Sequence, residues 1–409
     1  MHARSAQRTS DGVRTSRRTS IDGWSILEAD IYLMAFACEP DRGSEPGVGF
    51  AAAAALAGAV GPAGRRVLVT RPHRVTAIRE ALHQAGLPEL DVLAVNLPRW
   101  LVAVTNTRRV RAAYVVWQWR AVSAVRRRIT ASGRPAVVHH VTFATEGLPS
   151  FESRLRDRAA LVFGPAGSST DAAGEGTFMR RLRRRIARPV LRGSDVLVAQ
   201  SRAVADGWRR QGTAAEIVVE PNIVIEPGER REHRWDVVAV GVLVPRKRVD
   251  LALRAFALGA PTAARLAVLG DGPLEDELRR LAVELGIADR VDFLGFVDRA
   301  ASLDAMASAR VLLHPSRQEG APWVIGEAQS FGTHPIAVRG TGADEAVEAG
   351  GFGTVVDQAT PEALAEALAN ALSGPDQPPS TRWSAARLPA LLSSWYDLAE
   401  QRAADRGLR

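Results

Sequence analysis

Lysine occurs once in this 409-residue chain, among 53 lysine and arginine residues, and it stands at Lys247 in the run Gly241-Val-Leu-Val-Pro-Arg-Lys-Arg248. An ammonium is a compact point charge with three rotatable donors, whereas a guanidinium is a wide planar fork. A lysine kept in an arginine-rich chain therefore suits a site that sets one positive charge against a crowded diphosphate. Two carboxylates follow downstream, Glu319 and Glu327. Glu319 closes a loop, and Glu327 falls inside a segment patterned as a helix, so the second carboxylate stands about two turns beyond the first. One can then meet a sugar ring and the other a ribose. Taken singly, a lone lysine or a pair of glutamates is ordinary surface charge; the frame that holds them decides.

That frame alternates. Residues 235–244 are an apolar run that reads as a buried strand, and 249–258 read as a helix start, which leaves Lys247 in a short loop between them. A strand, a short loop and a helix N-terminus form an anion site, because free backbone N–H groups and the helix dipole point at whatever lies there. Residues 265–269 form the next predicted strand, followed by the turn Gly270-Asp-Gly-Pro273 and a helix over 274–285. Strands over 291–294 and 310–314 follow, the first ending at Gly295-Phe296 and the second leading into Pro315-Ser-Arg-Gln-Glu-Gly320, with a helix over 323–331. Strands and helices alternating at this spacing predict a parallel sheet with helices on its faces, an α/β fold. Ligands bind such sheets at the carboxyl ends of the strands. The N-terminal half shows the same alternation: a strand over 32–38, a glycine-rich loop over 39–49, an alanine-rich segment over 50–60, and a strand over 137–143 carrying His139 and His140. Two more strand-to-loop edges, at 162–167 and 195–201, border the same cleft.

The segments G-V-L-V-P-R-K-R-V-D (241–250), L-G-D-G-P (269–273), R-V-D-F-L-G-F-V (290–297), E-G-A-P-W-V-I-G-E-A (319–328) and G-T-H-P-I-A (332–337) resemble, in order and spacing, the donor-binding domain of the family 4 glycosyltransferases, the glycosyl transferases group 1. These are retaining enzymes of GT-B architecture. The resemblance implies two Rossmann-like domains with parallel sheets facing across a cleft. The expected division is an acceptor-side domain over 30–225, a nucleotide-sugar-binding domain over 226–378, and a C-terminal helix over 379–409 that packs back on the first domain. It implies a glycosyltransferase that moves a sugar from a nucleoside-diphosphate sugar to a hydroxyl acceptor on a glycan, a lipid-linked glycan or a small molecule. A nucleotide-sugar epimerase of the same fold and an inactive glycosyltransferase-like partner subunit are the alternatives.

By the same resemblance, Lys247 neutralises the leaving diphosphate, helped by Arg246 and by the backbone of Gly47, where the absence of a Cβ lets the main chain come close. Gly270, Asp271, Phe293, Gly295 and Phe296 belong to the donor site, the last three lying in the segment that meets the base. Glu319 with Gly320 holds the transferred sugar, Glu327 the ribose, and His140 orients the sugar or the acceptor. Lys247, Glu319 and His140 are the expected catalytic residues. No metal and no cofactor beyond the nucleotide sugar are expected, since no acidic cluster flanks the phosphate loops. The chain departs from the family at two places. Val242 stands where an arginine is usual, and Arg246 or Arg248 is the candidate to replace it. Ala321-Pro322 follows Glu319, and proline has no N–H to offer a phosphate.

Length and a 46% hydrophobic content allow two substantial cores. Cys38 is the single cysteine, which excludes an internal disulfide framework and a multi-cysteine metal site and accords with a reducing cytoplasm. Residues 1–29 are rich in Arg, Ser and Thr and lack the apolar stretch of a secretory signal, so they read as a disordered basic tail. The longest apolar run, 50–60, is too short to span a bilayer. The net charge of +8 raises polyanions as partners. Residues 98–134 contain no acid, while Val110, Ala113, Tyr114, Trp117, Ala121 and Val125 recur at helical spacing beside Arg109, Arg120 and Arg126 to Arg128; a second arginine cluster covers 180–192. A basic amphipathic helix with tryptophans fits peripheral association with an anionic membrane at the inner face of the cell membrane. The competing arrangement turns the apolar stripe to the core. No nucleic-acid-binding module accompanies the charge, so no specific nucleic-acid partner is expected.

Overall fold

The computed structural model describes residues 29–40, 42–59, 64–98, 110–145, 147–167 and 177–408, and within them the apolar strands assemble into two parallel sheets. The first contains β1 (Asp30–Met34), β2 (Arg66–Thr70), β3 (Asp91–Ala94), β4 (Ala136–His140), β5 (Ala160–Ala166), β6 (Val196–Ala199) and β7 (Glu216–Val219), in the order β3-β2-β1-β4-β5-β6-β7. The second contains β8 (Trp235–Val240), β9 (Leu266–Leu269), β10 (Val291–Gly295), β11 (Ala309–His314), β12 (His334–Val338) and β13 (Thr354–Val356), in the order β10-β9-β8-β11-β12-β13. Both sheets are doubly wound. Each reverses its winding beside its first strand, between β1 and β4 and between β8 and β11, and a crevice opens there at the carboxyl ends.

Helices cover the faces. Those of the first unit are α1 (Ser44–Gly58), α2 (Val75–Gln84), α3 (Val110–Ser132), α4 (Thr177–Gly193) and α5 (Arg202–Arg210). Those of the second are α6 (Val249–Gly259), α7 (Glu275–Glu284), α8 (Arg299–Ala307), α9 (Trp323–Ser330), α10 (Ala343–Ala349) and α11 (Pro361–Ser373), and the chain closes with α12 (Leu388–Asp405). The last helix crosses back: Leu392, Trp395, Tyr396 and Ala399 lie in one core with Leu33, Leu56 and Val162 of the first unit. Arg406 fixes its end, 2.8 Å from Asp195. Ile223 and Trp383, from the two segments that cross between the units, are both buried in the core of the second.

Two sequence expectations change here. The apolar run 235–244 is not all strand: β8 stops at Val240, because Gly241 takes a φ of 148° that turns the chain out of the sheet. The stripe on α3 does not face a membrane. Tyr114, Trp117, Ala121 and Val125 are buried in a core with Tyr32, Met34 and Val138, and Ala113 is buried as well. Its arginines serve the surface of the fold, Arg126 donating to Asp157 at 3.2 Å and Arg128 to Asp91 at 2.7 Å. An amphipathic period fixes that a face is covered, and here a sheet covers it. The expected basic tail, apart from Ala29, and Arg109 lie outside the described residues.

Candidate active site

β8 and β11 are neighbours at the switch point of the second sheet, so the loops that leave them meet. After Gly241 the chain forms a short 3-10 turn over Pro245–Lys247, and Arg248, with a φ of 53°, redirects it into α6. Lys247 Nζ comes to 2.5 Å from Glu319 Oε1, and an Arg246 guanidinium nitrogen to 3.2 Å from Glu319 Oε2. Arg246 also donates to the Gln318 carbonyl at 2.7 Å. His314, the buried last residue of β11, places Nε2 3.3 Å from Glu319 Oε1. The loop is pinned from behind: the Glu319 N–H donates to the Thr341 carbonyl at 2.6 Å. Burial alone raises a carboxyl, yet His314 and Lys247 hold that of Glu319 well below the usual carboxylate range. Burial and the charge of Lys247 push His314 down, so it stays neutral beside them.

Glu327 follows on α9, buried, and Arg299 at the start of α8 donates to its Oε1. Burial raises this carboxyl against the opposing pull of Arg299. The guanidinium carbon of Arg299 lies 5.5 Å from the centroid of the Trp323 ring. The nitrogen that donates to Glu327 also faces the first domain, where a Cβ on Gly43 would stand 2.8 Å from it. Gly43 is the N-cap of α1. Glu45 in the first turn of α1 accepts from the Phe143 N–H at 2.8 Å, which ties this helix start to the end of β4.

The other expected donor-site residues divide. Gly47 lies within the first turn of α1 and not in a loop before it; a Cβ there would stand 2.0 Å from the Arg42 carbonyl and 3.6 Å from Trp323 across the cleft. Gly270, at φ 131°, lets two loops stack, since a Cβ would lie 2.1 Å from the Gly241 carbonyl, and Asp271 accepts from the Leu243 N–H at 2.7 Å. These two therefore shape the cleft floor through their backbone. Gly295, at φ 65°, accepts from the Gly270 N–H, and Phe296 beyond it is 78% exposed at the sheet edge. Phe293 does not join them: it packs on the core of the second sheet under Arg279, whose guanidinium lies 4.6 Å from its ring. Gly320 faces the first domain, where a Cβ would stand 3.3 Å from the Gly167 carbonyl and 3.2 Å from Gln200. The two edges at 162–167 and 195–201 thus border the cleft. Of the two replacements for the absent arginine at position 242, Arg246 lies in the cluster, while Arg248 turns away to the Ala359 carbonyl at 3.3 Å. Pro322 caps α9 in the second departure.

His140 is placed apart from Lys247 and Glu319. It is buried, with Nε2 2.8 Å from the Tyr114 hydroxyl and from the Thr142 carbonyl, and Nδ1 against Glu152. Both ring nitrogens are occupied by protein groups, so the structure presents neither to a sugar or an acceptor. Alternation along β4 sends His139 to the opposite face, where it meets the Tyr396 hydroxyl of α12 at 3.0 Å. Sequence reasoning missed His314 and Arg299. The first is signalled by its place at the end of a strand on the switch point; the second acquires meaning through tertiary contacts alone. Among the described residues no group of three or more His, Cys, Asp or Glu is placed to hold a metal ion.

Residues 223–387 match the profile of the glycosyl transferases group 1. The second domain belongs to that family. A relative named D-inositol 3-phosphate glycosyltransferase, from Mycolicibacterium paratuberculosis, is 34% identical over 199 residues, which cover 44% of this chain and 44% of that protein. A GDP-mannose-dependent alpha-(1-6)-phosphatidylinositol monomannoside mannosyltransferase from Mycobacterium tuberculosis is 28% identical over 308 residues, 64% of this chain and 80% of that one. The first matched relatives are spanned over 39%, 44% and 48% of their own length, less than half. Among solved structures, Anabaena HepE in complex with UDP and glucose superposes with a TM-score of 0.55 at 19% identity, over 93% of this chain and 99% of that one. The lipopolysaccharide outer core galactosyltransferase WaaB does so with 0.54 at 16% identity, over 92% and 98%. At that identity the likeness is one of fold, and the fold is GT-B. In this group 1 domain Lys247, Glu319 and Glu327 occupy the crevice that the winding of the second sheet opens.

Proposed function

We propose that the chain is a retaining glycosyltransferase that transfers a sugar from a nucleoside-diphosphate sugar to a hydroxyl acceptor without a metal ion. The observation that carries this reading is the convergence of Lys247, Arg246 and His314 on the Glu319 carboxylate at the switch point. When the glycosidic bond breaks, the departing diphosphate gains negative charge, and a fixed ammonium with backbone amides stabilises that charge most in the transition state. Lys247 supplies the ammonium. Glu319 stays ionised between its cations and accepts hydroxyls of the transferred sugar, while the free oxygen of Glu327 accepts those of the ribose. The relatives' names support an acceptor hydroxyl on a polyol phosphate or a lipid-linked glycan, and family membership of the second domain supports retention.

The test is transfer itself. The purified chain is incubated with UDP-, GDP- and ADP-sugars and with inositol phosphate or phosphatidylinositol mannoside, and the anomeric configuration of the product is read by NMR. Retention is expected, with activity unchanged by EDTA. Lys247→Ala should lower turnover by about a hundredfold at an unchanged melting temperature. Inverted product, loss of transfer in EDTA, or sugar isomerised without acceptor would each overturn this reading.

A further inference from the structure

Charge is short at the proposed leaving group. Lys247 and Arg246 both lean on Glu319, so their two positive charges are partly cancelled before a donor arrives. A departing nucleoside diphosphate carries more than one negative charge. Val242, in the loop beside Lys247, is 54% exposed and offers none. Arg299 is a further cation at this cleft, and its guanidinium lies between the two domains. The Nη1 that donates to the buried Glu327 carboxylate is also the atom nearest Gly43, where a Cβ would stand 2.8 Å away, and Gly43 is the N-cap of α1 with no side chain to cap it. The Trp323 ring lies against the guanidinium, and the Asp298 side chain, accepting from the Ala301 N–H at 2.8 Å, anchors the helix start that carries it.

We propose that Arg299 is a leaving-group residue: in the donor complex its guanidinium serves the diphosphate lodged at the start of α1, and Glu327 is released to the ribose hydroxyls. The inference rests on the transfer reading above. The geometry asks for little movement, because a Cβ on Gly43 would already stand 2.8 Å from the guanidinium. A planar fork suits two phosphate oxygens as well as it suits a carboxylate. Donor binding then exchanges one anionic partner of Arg299 for another, while Glu327 takes ribose hydroxyl donors in place of the guanidinium.

The experiment measures selectivity between nucleotides by calorimetry. UDP, GDP and ADP are titrated into the full chain, and the diphosphate that binds is compared with its monophosphate. Arg299→Gln should lower diphosphate affinity about tenfold or more, the value of one charge-assisted hydrogen bond, and change monophosphate affinity little. Adding Val242→Arg to that variant should restore most of the preference. Equal loss for both nucleotides would overturn the proposal, since Arg299 would then act only through Glu327 at the ribose; so would unchanged diphosphate affinity, or no recovery with Val242→Arg. If the glutamine variant does not fold, Arg299→Lys carries the test. Lysine still neutralises Glu327 but ends in a point charge short of α1, so the same selective loss is expected, and full diphosphate affinity overturns the idea. A wild-type chain that binds none of the three diphosphates would instead remove the transfer reading on which the proposal stands.

Discussion

His139 and His140 are adjacent in sequence and driven in opposite directions. Burial pushes His139 down to about 4, whereas His140, which burial alone would also lower, is raised because the Glu152 carboxylate beside it outweighs desolvation. The signs for stability follow. His140 contributes fully below the value of an unfolded histidine, about 6.5, and loses that contribution as pH rises through its raised value. His139, neutral in the fold, contributes above about 6.5 and loses it as pH falls toward its own lowered value. NMR of the ring nuclei should therefore show His140 protonated and His139 neutral at pH 6, and Glu152→Gln should neutralise His140 and cost about 3 kcal/mol. A neutral His140 at pH 6 would show that Glu152 does not outweigh burial. The same pair marks a limit of sequence reading: the segment 137–143 reveals a strand with two histidines, but which one meets Tyr114 and which meets Tyr396 depends on helices far along the chain. Lys247, Glu319 and Glu327 were legible because each sits in a short contiguous pattern whose backbone geometry is local. Arg299 was not, because its partners Glu327, Trp323 and Gly43 come from other elements.

Among elements, the loops after β8 and β9 illustrate how backbone, and not side chain, builds the crevice. Gly241 and Gly270 both adopt positive φ and stack within a distance that excludes a Cβ. Gly270→Ala must therefore displace the Gly241 carbonyl and with it the loop that carries Lys247. It should destabilise the protein by about 1–3 kcal/mol and weaken nucleotide binding. Gly86→Ala is the control, since Gly86 shares a positive φ of 67° but has open space around it. It should lower the melting temperature without touching nucleotide affinity. Equal effects of the two on binding would mean that backbone strain alone, and not loop stacking, accounts for Gly270. The strands and helices themselves were legible because alternating apolar runs and turn residues are local signals. Faces were less so. The stripe on α3 and the ring of Phe293 each have the pattern of a covered surface, and a pattern does not name its cover.

Across the whole molecule, contacts besides α12 join the domains near the cleft, among them Gly320 against Gly167 and the Glu345 carboxylate of α10 capping the Arg202 N–H at the start of α5, with the nearer oxygen at 2.7 Å. The α3 helix turns its apolar stripe to the core and keeps Arg111, Trp119, Arg120 and Arg127 exposed, and α4 carries a second basic face. There Arg181, Arg185 and Arg188 are exposed, Phe178 is 76% exposed and Leu182, one turn on, 41%. No helix among the described residues is long and apolar enough to cross a membrane. Such a helix can instead lie at an anionic surface, each arginine adding about 1 kcal/mol attenuated by salt and the apolar pair adding a part that salt does not screen. The purified chain should co-sediment with phosphatidylglycerol vesicles and much less with phosphatidylcholine ones. Exchanging Arg181, Arg185 and Arg188 for Ser should release it at an unchanged melting temperature, and Phe178→Ser should remove the salt-resistant fraction. Exchanging Arg126 and Arg128 on α3 should have no such effect, because those side chains are bound to Asp157 and Asp91. If the wild-type chain remains in the supernatant at low salt, α4 is a solvated face and the acceptor is to be sought among soluble hydroxyl compounds.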